Sequence, residues 1–267
     1  MLTKGAGSFP VLFGFAGAYD AIPSIAAAYG MRRLRTAYTG SLLRVRRSSD
    51  NTEQDIGYIA NGDLDTVTVA TFIGGGSGYV VKWYDQSGNA YDASQTTAAY
   101  QPLYVASGQN GKPVGRWDGA NDNLASAAMS ITQPYSLMIV AGPNVDRVRY
   151  HYILRNSSAD TGGLWRVEQT TGRQLSYAGS TFFSTGATDG WHIRSFLMDG
   201  AASGMWIDTN SQGTGNVGAG SISAITIGKS VASLLGDIAE LIICNAALSD
   251  ANRQAAEAAA NAYWAVY

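Results

Sequence analysis

Alternating hydrophobic and polar residues recur along most of the chain, and this period of two is typical of half-buried β-strands. Leu43-Arg44-Val45-Arg46 and Thr66-Val67-Thr68-Val69 show it most simply. Aspartate and glycine pairs such as Asp189-Gly190 and Asp199-Gly200 separate the later segments as turns. Further candidate strands lie at 79–84, 137–140, 152–154, 164–167, 192–197, 204–207, 224–227 and 238–244. Many short strands without intervening helices predict an all-β, two-sheet sandwich.

Two segments break this pattern and predict helices. Asp20 to Tyr29 begins with a capping-type aspartate, has Pro23 in its first turn and continues through alanines, which predicts a short N-terminal helix ending near Gly30. Ser249-Asp250 opens a C-terminal helix over Ala251 to Trp264. Its small-residue face, expected to lie against the sandwich, consists of Ala255, Ala258, Ala259 and Ala262.

Composition supports one glycine-rich domain and gives no sign of a charged partner. The 267 residues include 32 glycines, 14% of them are charged, and the net charge is −2, which predicts neither nucleic-acid binding nor attraction to an anionic membrane. The apolar stretch near the start is too short and too glycine-broken to span a bilayer. We expect an apolar leader at residues 1–18, able to dock on a partner, and one sandwich domain at 19–267.

The single cysteine, Cys244, lies in an apolar run and is expected to be a core thiol rather than a reactive one. It cannot close an internal disulfide. With His151 and His192 it forms no repeated ligand spacing, so we predict no metal centre of the zinc type.

Six arginines fall within sixteen residues, and two interpretations of them stay open. Their guanidinium forks could hold a phosphate or a carboxylated sugar. The favoured alternative is that they pair internally with nearby acids such as Asp50, Glu53, Asp55 and Asp85. The cluster consists of Arg32, Arg33, Arg35, Arg44, Arg46 and Arg47.

A polar turn follows the strand that ends at Trp83-Tyr84. Asp85, Gln86, Asn89 and Asp92 could hydrogen-bond sugar hydroxyls or bind calcium through their oxygens. The favoured alternative is a turn whose side chains bond to their own backbone. We therefore predict no required cofactor and leave calcium open.

Hydrolysis of a sugar requires two carboxyl groups about 5 to 10 Å apart. The acids on or beside predicted strands are Asp85, Glu168, Asp237 and Glu240. Tryptophans at strand positions usually belong to the core, but one or two could stack on a sugar ring. We predict Trp165 as such a residue. The chain contains no nucleophile elbow, phosphate loop or dinucleotide fingerprint.

Two blocks of sequence resemble the catalytic domain of arabinofuranosidase B, a sandwich glycosidase. They are Ala37-Tyr38-Thr39-Gly40-Ser41 through Arg46-Arg47-Ser48-Ser49-Asp50, and Tyr84-Asp85-Gln86-Ser87-Gly88-Asn89. The second half, with Trp117-Asp118-Gly119-Ala120-Asn121-Asp122 and Gly236-Asp237-Ile238-Ala239-Glu240, is similar to laminin-G-like, concanavalin A-like jelly rolls. The resemblance implies that fold.

The resemblance also implies a site, from which this chain departs. Glu168 is the nearest counterpart of the family's nucleophilic glutamate. Lys229-Ser230 stands where the family has its acid/base aspartate, so Asp237 is left as a displaced acid if the protein is an enzyme. The family's adjacent cysteine pair is missing. The catalytic dyad is therefore expected to be incomplete.

Sandwiches with these blocks also look like domains of tailed-bacteriophage virion proteins. Our main functional prediction is a non-catalytic tail-fibre, tail-tip or capsid-decoration protein that binds host glycan, assembles in a bacterial cytoplasm and is located in the virion. Its expected partners are other virion proteins, a host-surface glycan and further copies of itself, without nucleic acid or membrane insertion. The alternatives are an α-L-arabinofuranosidase-like glycoside hydrolase and a purely architectural oligomer.

Overall fold

The computed structural model describes residues 15–143, 151–156, 164–167, 171, 173–187, 189–228 and 234–267. The strands, in chain order, are β1 Ile25–Gly30, β2 Leu43–Arg47, β3 Glu53–Ile56, β4 Gly78–Trp83, β5 Ala93–Ser94, β6 Leu103–Val105, β7 Val114–Asp118, β8 Leu124–Ser126, β9 Tyr135–Pro143, β10 His151–Asn156, β11 Leu164–Val167, β12 Arg173–Tyr177, β13 Thr181–Ala187, β14 His192–Met198, β15 Ser203–Ile207, β16 Asn210–Gly215, β17 Ile225–Ile227 and β18 Leu235–Cys244. The helices are α1 Thr66–Ile73 and α2 Asp250–Trp264, with short 3-10 turns at Ala98–Tyr100, Gln109–Gly111 and Gly200–Ala202.

The described strands form one antiparallel hydrogen-bonded network, which confirms the all-β prediction. In one part, β16, β15, β14, β9 and β18 lie side by side, and the other edge of β18 pairs first with β7 and then with β1. In the other part, β3, β2 and β4 continue through β5, β8, β17, β10, β11, β12 and β13. Strand β6 joins the parts because it pairs with both β4 and β7.

Strand β18 carries the centre of the core. Every residue from Asp237 to Cys244 is buried, and β18 pairs with other strands along both of its edges. The Cys244 thiol is buried and free, as predicted, and burial raises its pKa to about 12. Within the described residues no helix is long and apolar enough to cross a membrane.

The predicted N-terminal helix is wrong, since that segment ends in strand β1. All six residues of β1 are buried, and β1 pairs with β18 from Ile25↔Cys244 to Gly30↔Glu240. Alanine has a high helix propensity, but the small side chains of Ala26, Ala27 and Ala28 also suit a strand that is covered on both faces. Tertiary pairing overrides the local preference here.

The predicted strand around Thr66–Val69 is also wrong, because these residues begin helix α1. Asp65 caps that helix by accepting hydrogen bonds from Thr68 N at 2.9 Å and Thr68 Oγ1 at 2.7 Å. A run of two alternations is too short to distinguish a strand from a helix, and the capping aspartate decides the outcome.

Helix α2 confirms the predicted C-terminal helix, with Ser249 as its N-cap. The buried face differs from the one predicted, because the predicted set Ala255, Ala258, Ala259 and Ala262 lies on the exposed or half-buried side. The buried residues are Arg253, Ala256, Glu257, Ala260 and Trp264. Arg253 and Glu257 can enter this face because they form an ion pair with each other, with two bonds of 2.9 Å.

Candidate functional site

The polar turn after β4 brings together four of the predicted ligand-binding residues. The Asp85 carboxylate is buried and accepts hydrogen bonds from Ala28 N at 2.8 Å, Ser87 N at 2.9 Å and Tyr91 N at 3.0 Å. Gln86 is also buried and bonds to Leu34 N at 2.7 Å. These contacts tie the turn to β1 and to the segment that follows β1.

The other two members of the turn also bond to the protein itself. Asn89 Nδ2 donates to Ala26 O at 2.9 Å, and Asp92 Oδ1 accepts from Asp85 N at 3.0 Å. Lys82 Nζ lies 3.4 Å from Asp92 Oδ2. These contacts support the structural interpretation of the turn, and its ligand-binding role stays a prediction.

The predicted nucleophile, Glu168, lies outside the described residues, and it directly follows β11. The register places three neighbouring strands side by side, since Leu154 of β10 pairs with Trp165 of β11 and with Ile227 of β17. Both β11 and β17 are antiparallel to β10, so they run in the same direction and end at the same side. Trp165 pairs with Ser176 of β12 on its other edge, and its stacking role stays a prediction.

We use the name site edge for the end of the network at which β7, β11 and β17 end and β8 and β18 begin. Ile227 of β17 pairs with Leu124 at the start of β8, and Asp118 at the end of β7 pairs with Leu235 at the start of β18. The loop from β7 to β8 therefore lies at the same edge as the ends of β11 and β17. Because one strand separates β11 from β17, their backbones are roughly 10 Å apart.

The loop from β7 to β8 carries two carboxyl groups. Asp118 Oδ1 accepts hydrogen bonds from Ala120 N at 2.8 Å and Asn121 N at 3.2 Å, and Asp122 Oδ2 accepts one from Asp118 N at 3.0 Å. Asp122 is buried, with 6% of its surface exposed. Burial raises its pKa to about 7, and the negative charge of Asp118 adds to the shift. A carboxyl group with this pKa holds its proton for much of the time near neutral pH.

Gly228, directly after β17, brings the backbone close to this loop. It has a φ of +69°, and a Cβ at this position would lie 2.5 Å from Trp117 Nε1 and 2.7 Å from Asp122 O. Only glycine fits both the left-handed conformation and the contact. In the sequence, Asp118 to Asp122 indicates only the fold, and Asp122 was missed as a site residue. Its burial results from strand pairing that no local pattern reveals.

Asp237, the predicted displaced acid, also lies near the site edge, one residue after Gly236 in β18. Arg116 of β7 donates two hydrogen bonds to it, from Nε to Oδ1 at 2.7 Å and from Nη2 to Oδ2 at 2.9 Å. Both oxygens of this carboxylate therefore accept from the guanidinium. The geometry therefore favours Asp122 over Asp237 for proton donation, and a catalytic role for Asp237 stays a prediction.

A cleft of about 650 Å³ extends from the site edge over the outer face of the neighbouring strands. Asp118, Asp122 and Leu235 line one part of it, and Arg46 and Tyr79 line the other. The core lies on the opposite face, where Val45, Val80 and Tyr104 are buried. The cleft is therefore an open groove on the sheet and not a gap in the core.

Three of the six arginines in the cluster pair with acids inside the protein, in line with the favoured interpretation. Arg32 Nε bonds to Glu240 at 2.9 Å, Arg44 Nε to Asp55 at 2.7 Å and Arg47 Nη2 to Asp50 at 2.6 Å. Arg46 differs from these three, because its hydrogen-bond acceptors are neutral oxygens. For metal ions, no three histidine, cysteine or acidic side chains converge within the part of the chain that the structure describes.

Comparison with known proteins links these features to a family. The family model described as alpha-L-arabinofuranosidase B, catalytic, matches residues 17–171, which is more than half of the chain. This match includes β1 to β11 and the position of Glu168. No curated protein sequence matches the chain.

Solved structures support the fold. A mutant GH54 α-L-arabinofuranosidase soaked with 4-nitrophenyl α-L-arabinofuranoside has 16% identity and a TM-score of 0.70, and an arabinofuranosidase complexed with arabinofuranosyl-α-1,2-xylobiose has 15% identity and a TM-score of 0.70. Each alignment covers 91% of this chain and 63% of the other. The binding domain of Paraclostridial Mosquitocidal Protein 1 has 11% identity and a TM-score of 0.52, over 84% of this chain and 52% of the other. At these identities the likeness concerns the fold alone.

Proposed function

The chain belongs to the family of the α-L-arabinofuranosidase B catalytic domain, and on that premise we propose that it is a glycoside hydrolase domain that removes α-L-arabinofuranosyl groups from a polysaccharide. The chain spans 63% of the length of the two arabinofuranosidase structures it resembles. The proposal therefore concerns this domain's own site.

This family membership corrects the main functional prediction from the sequence. A phage virion protein was expected from the resemblance of its sequence blocks, and a non-catalytic one because Lys229-Ser230 stands at the position of the family's acid. The match over residues 17–171 favours the glycosidase alternative instead. The error was to treat the loss of one residue as the loss of the reaction. A sheet edge brings several carboxyl groups together, and a neighbouring one can replace the missing acid.

The observation that carries the proposal is the shared site edge. The family's two catalytic positions follow β11 and β17, which end on the same side, one strand apart. A backbone separation of roughly 10 Å allows two carboxyl side chains to approach within the ~5 to 10 Å that glycosidases use. Asp122 lies beside the end of β17, as its backbone contact with Gly228 indicates.

In the proposed reaction, Glu168 attacks the anomeric carbon of the arabinofuranosyl group and forms a covalent glycosyl ester. The bond to the leaving oxygen breaks as Asp122 gives that oxygen its proton. Water then attacks the same carbon, Asp122 takes a proton from this water, and Glu168 leaves as a carboxylate. The pKa of about 7 at Asp122 suits both the donation and the return of the proton.

This mechanism uses carboxyl groups and water and needs no cofactor. The absence of a required cofactor and the formation of a homo-oligomer stay predictions, and calcium binding by the turn at Asp85 is still an open alternative. The predicted virion partners and virion location depended on the function that is now corrected. The concanavalin A-like jelly roll remains part of the proposal, and the antiparallel network supports it.

Turnover of two substrates tests the proposal. One is 4-nitrophenyl α-L-arabinofuranoside, whose leaving group departs without protonation, and the other is an arabinose-bearing xylo-oligosaccharide, whose leaving group needs the proton. We expect Glu168→Gln to abolish turnover of both. Asp122→Asn should lower kcat/KM, which reports the first step alone, by about 10² to 10⁴ for the oligosaccharide and far less for the nitrophenyl substrate.

A wild-type protein that turns over neither substrate would contradict the proposed activity. An equal loss of kcat/KM for both substrates in Asp122→Asn would contradict the assignment of Asp122 as the proton donor and leave the activity intact. Arg44→Gln is the matched control, because Arg44 pairs with Asp55 at the surface, with 38% of its side chain exposed. We expect this variant to turn over both substrates at the wild-type rate.

A further inference from the structure

Arg46 is a buried cation whose hydrogen-bond acceptors carry no charge. Nε bonds to Gln101 Oε1 at 2.6 Å, Nη1 to Asn51 Oδ1 at 2.8 Å and Nη2 to Ala98 O at 3.2 Å. Only 8% of the residue's surface is exposed. These bonds use three of the five N–H groups of the guanidinium. The described residues thus orient the guanidinium of Arg46 but do not neutralise its charge. Burying an unneutralised charge costs free energy unless an anionic partner offsets it.

The charge lies at one end of the cleft on the outer face. Directly paired residues on neighbouring strands share a face, so a single row of side chains crosses the sheet. The row runs from Arg46 of β2 through Tyr79 of β4 and Leu103 of β6 to Arg116 of β7. Three strand spacings make it roughly 14 Å long, which is enough for a short oligosaccharide.

The floor of the cleft suits a sugar chain. The Arg46 guanidinium lies 4.7 Å from the centre of the Tyr79 ring, which holds the ring and the cation together. Tyr79 and Leu103 are half-buried and provide apolar surface between the two arginines. Sugar rings have apolar faces that pack on such surfaces, while their hydroxyl groups accept hydrogen bonds from guanidinium groups.

The two ends of the cleft differ in charge. At the site edge the charge of Arg116 is neutralised by Asp237, and Asp118 and Asp122 add carboxyl groups. At the far end Arg46 has no acidic partner among the described residues. An anionic group on a ligand would therefore be repelled from the site edge and attracted to Arg46.

We propose that the outer-face cleft binds the main chain of the polysaccharide substrate, and that Arg46 binds the carboxylate of a uronic acid on that chain. The two remaining N–H groups of Arg46 would donate to the carboxylate, whose two oxygens match the guanidinium fork. The inference rests on the proposed function for its substrate, because it assigns the arabinose to the site edge and the acidic sugar to the opposite end of the cleft.

Binding of ligands that contain no arabinose tests the inference separately from hydrolysis. We would measure by calorimetry the affinity of the full chain for a xylo-oligosaccharide that carries one glucuronic acid, for the unsubstituted oligosaccharide of equal length, and for the methyl ester of the acidic one. The acidic ligand is expected to bind about tenfold more tightly than the other two, because a hydrogen bond to a charged group is stronger than one to a neutral group. Added salt should reduce this preference.

Two variants test the residue. Arg46→Gln should remove the preference for the acidic ligand, whereas Arg44→Gln, on the same strand but paired with Asp55, should keep it. The methyl ester removes the charge from the ligand and leaves the protein unchanged, so the inference stays testable if Arg46→Gln does not fold.

Equal affinity for the acidic, neutral and esterified ligands would overturn the inference. If that result accompanied normal turnover of 4-nitrophenyl α-L-arabinofuranoside, the proposed hydrolase function would be kept and the binding site at Arg46 rejected. A preference for the acidic ligand that depends on Arg46, in a protein without turnover, would support the binding site and contradict the hydrolase.

Discussion

The indole N–H of Trp264 donates a hydrogen bond of 2.8 Å to Oε2 of Glu240, and both residues are fully buried. The same carboxylate oxygen accepts a bond of 2.9 Å from Arg32 Nε, and Tyr19 donates to the other oxygen. The centre of β18 is thus tied to the last turn of α2 and to the segment after β1. One buried carboxylate fixes the helix to the strand network that carries the site.

We expect Trp264→Phe to lower the free energy of unfolding by about 2 to 4 kcal/mol. It removes one donor from a buried carboxylate and leaves a void where the larger ring packed. Urea unfolding followed by circular dichroism measures the change. Tyr267→Phe is the control, since half of Tyr267 is exposed and its replacement should shift stability by less than about 0.5 kcal/mol. Equal effects of the two substitutions would mean that the bond to Glu240 contributes nothing.

Asp85 gives a second prediction, which separates a structural turn from a ligand site. Asp85→Ala leaves the backbone N–H groups of Ala28, Ser87 and Tyr91 without their acceptor. We expect a loss of about 3 kcal/mol or more in thermal or urea unfolding, since each buried donor left unsatisfied costs about 1 to 3 kcal/mol.

The matched variant at this turn is Asp92→Ala. Asp92 accepts one backbone bond and has a distant lysine partner, so we expect its loss to cost roughly 1 kcal/mol. A stable Asp85→Ala protein that loses only sugar or calcium binding would reverse the interpretation and restore the ligand-binding role predicted from the sequence.

Features that depend on nearby residues could be predicted from the sequence. Ser249 caps α2 at the position expected, and the turn at Asp85 is recognisable because its polar residues are consecutive. Helix α1 could have been predicted from the same kind of signal, the capping Asp65. These caps are local signals, and at α1 and α2 the tertiary packing agrees with them, whereas after Asp20 the pairing of β1 with β18 overrides the signal.

Features that depend on distant pairing could not be predicted. Strand β1 looks helical by its alanines, and only its position beside β18 makes it a strand. The carboxylate of Asp237 meets Arg116 from 121 residues away, and the row that begins at Arg46 combines four strands. Asp122 has its raised pKa because the fold buries it, and burial cannot be deduced from five residues of a turn.

The ion pair between Arg116 and Asp237 gives a third prediction, which concerns catalysis. Asp237→Asn replaces a carboxylate that Arg116 holds at 2.7 and 2.9 Å. Because 51% of the Arg116 side chain is exposed, water replaces the lost partner, and we expect a cost of only about 1 kcal/mol in urea unfolding. Turnover of an arabinose-bearing oligosaccharide should remain within a factor of about three. A loss of 10² or more, as expected for Asp122→Asn, would identify Asp237 as the proton donor instead.

The pH dependence of stability gives the last prediction, and its sign follows from the raised pKa of Asp122. The folded protein keeps the Asp122 proton up to a pKa of about 7, whereas the unfolded chain releases it at the ordinary value of 3.8. Between these values the folded state binds more protons than the unfolded state, so Asp122 makes stability fall as the pH rises from about 4 to about 7. Asp122→Asn carries no such proton, so its free energy of unfolding should rise relative to that of the wild type as the pH increases across that window.

Urea unfolding of both proteins at about pH 4, 5.5, 7 and 8 measures the difference. Asp118→Asn should narrow the pH window, because removing the charge of Asp118 lowers the pKa of Asp122. Parallel stability curves for the wild type and Asp122→Asn would show that the carboxyl is ionised in the folded protein over this range, and an ionised Asp122 could not serve as the proton donor.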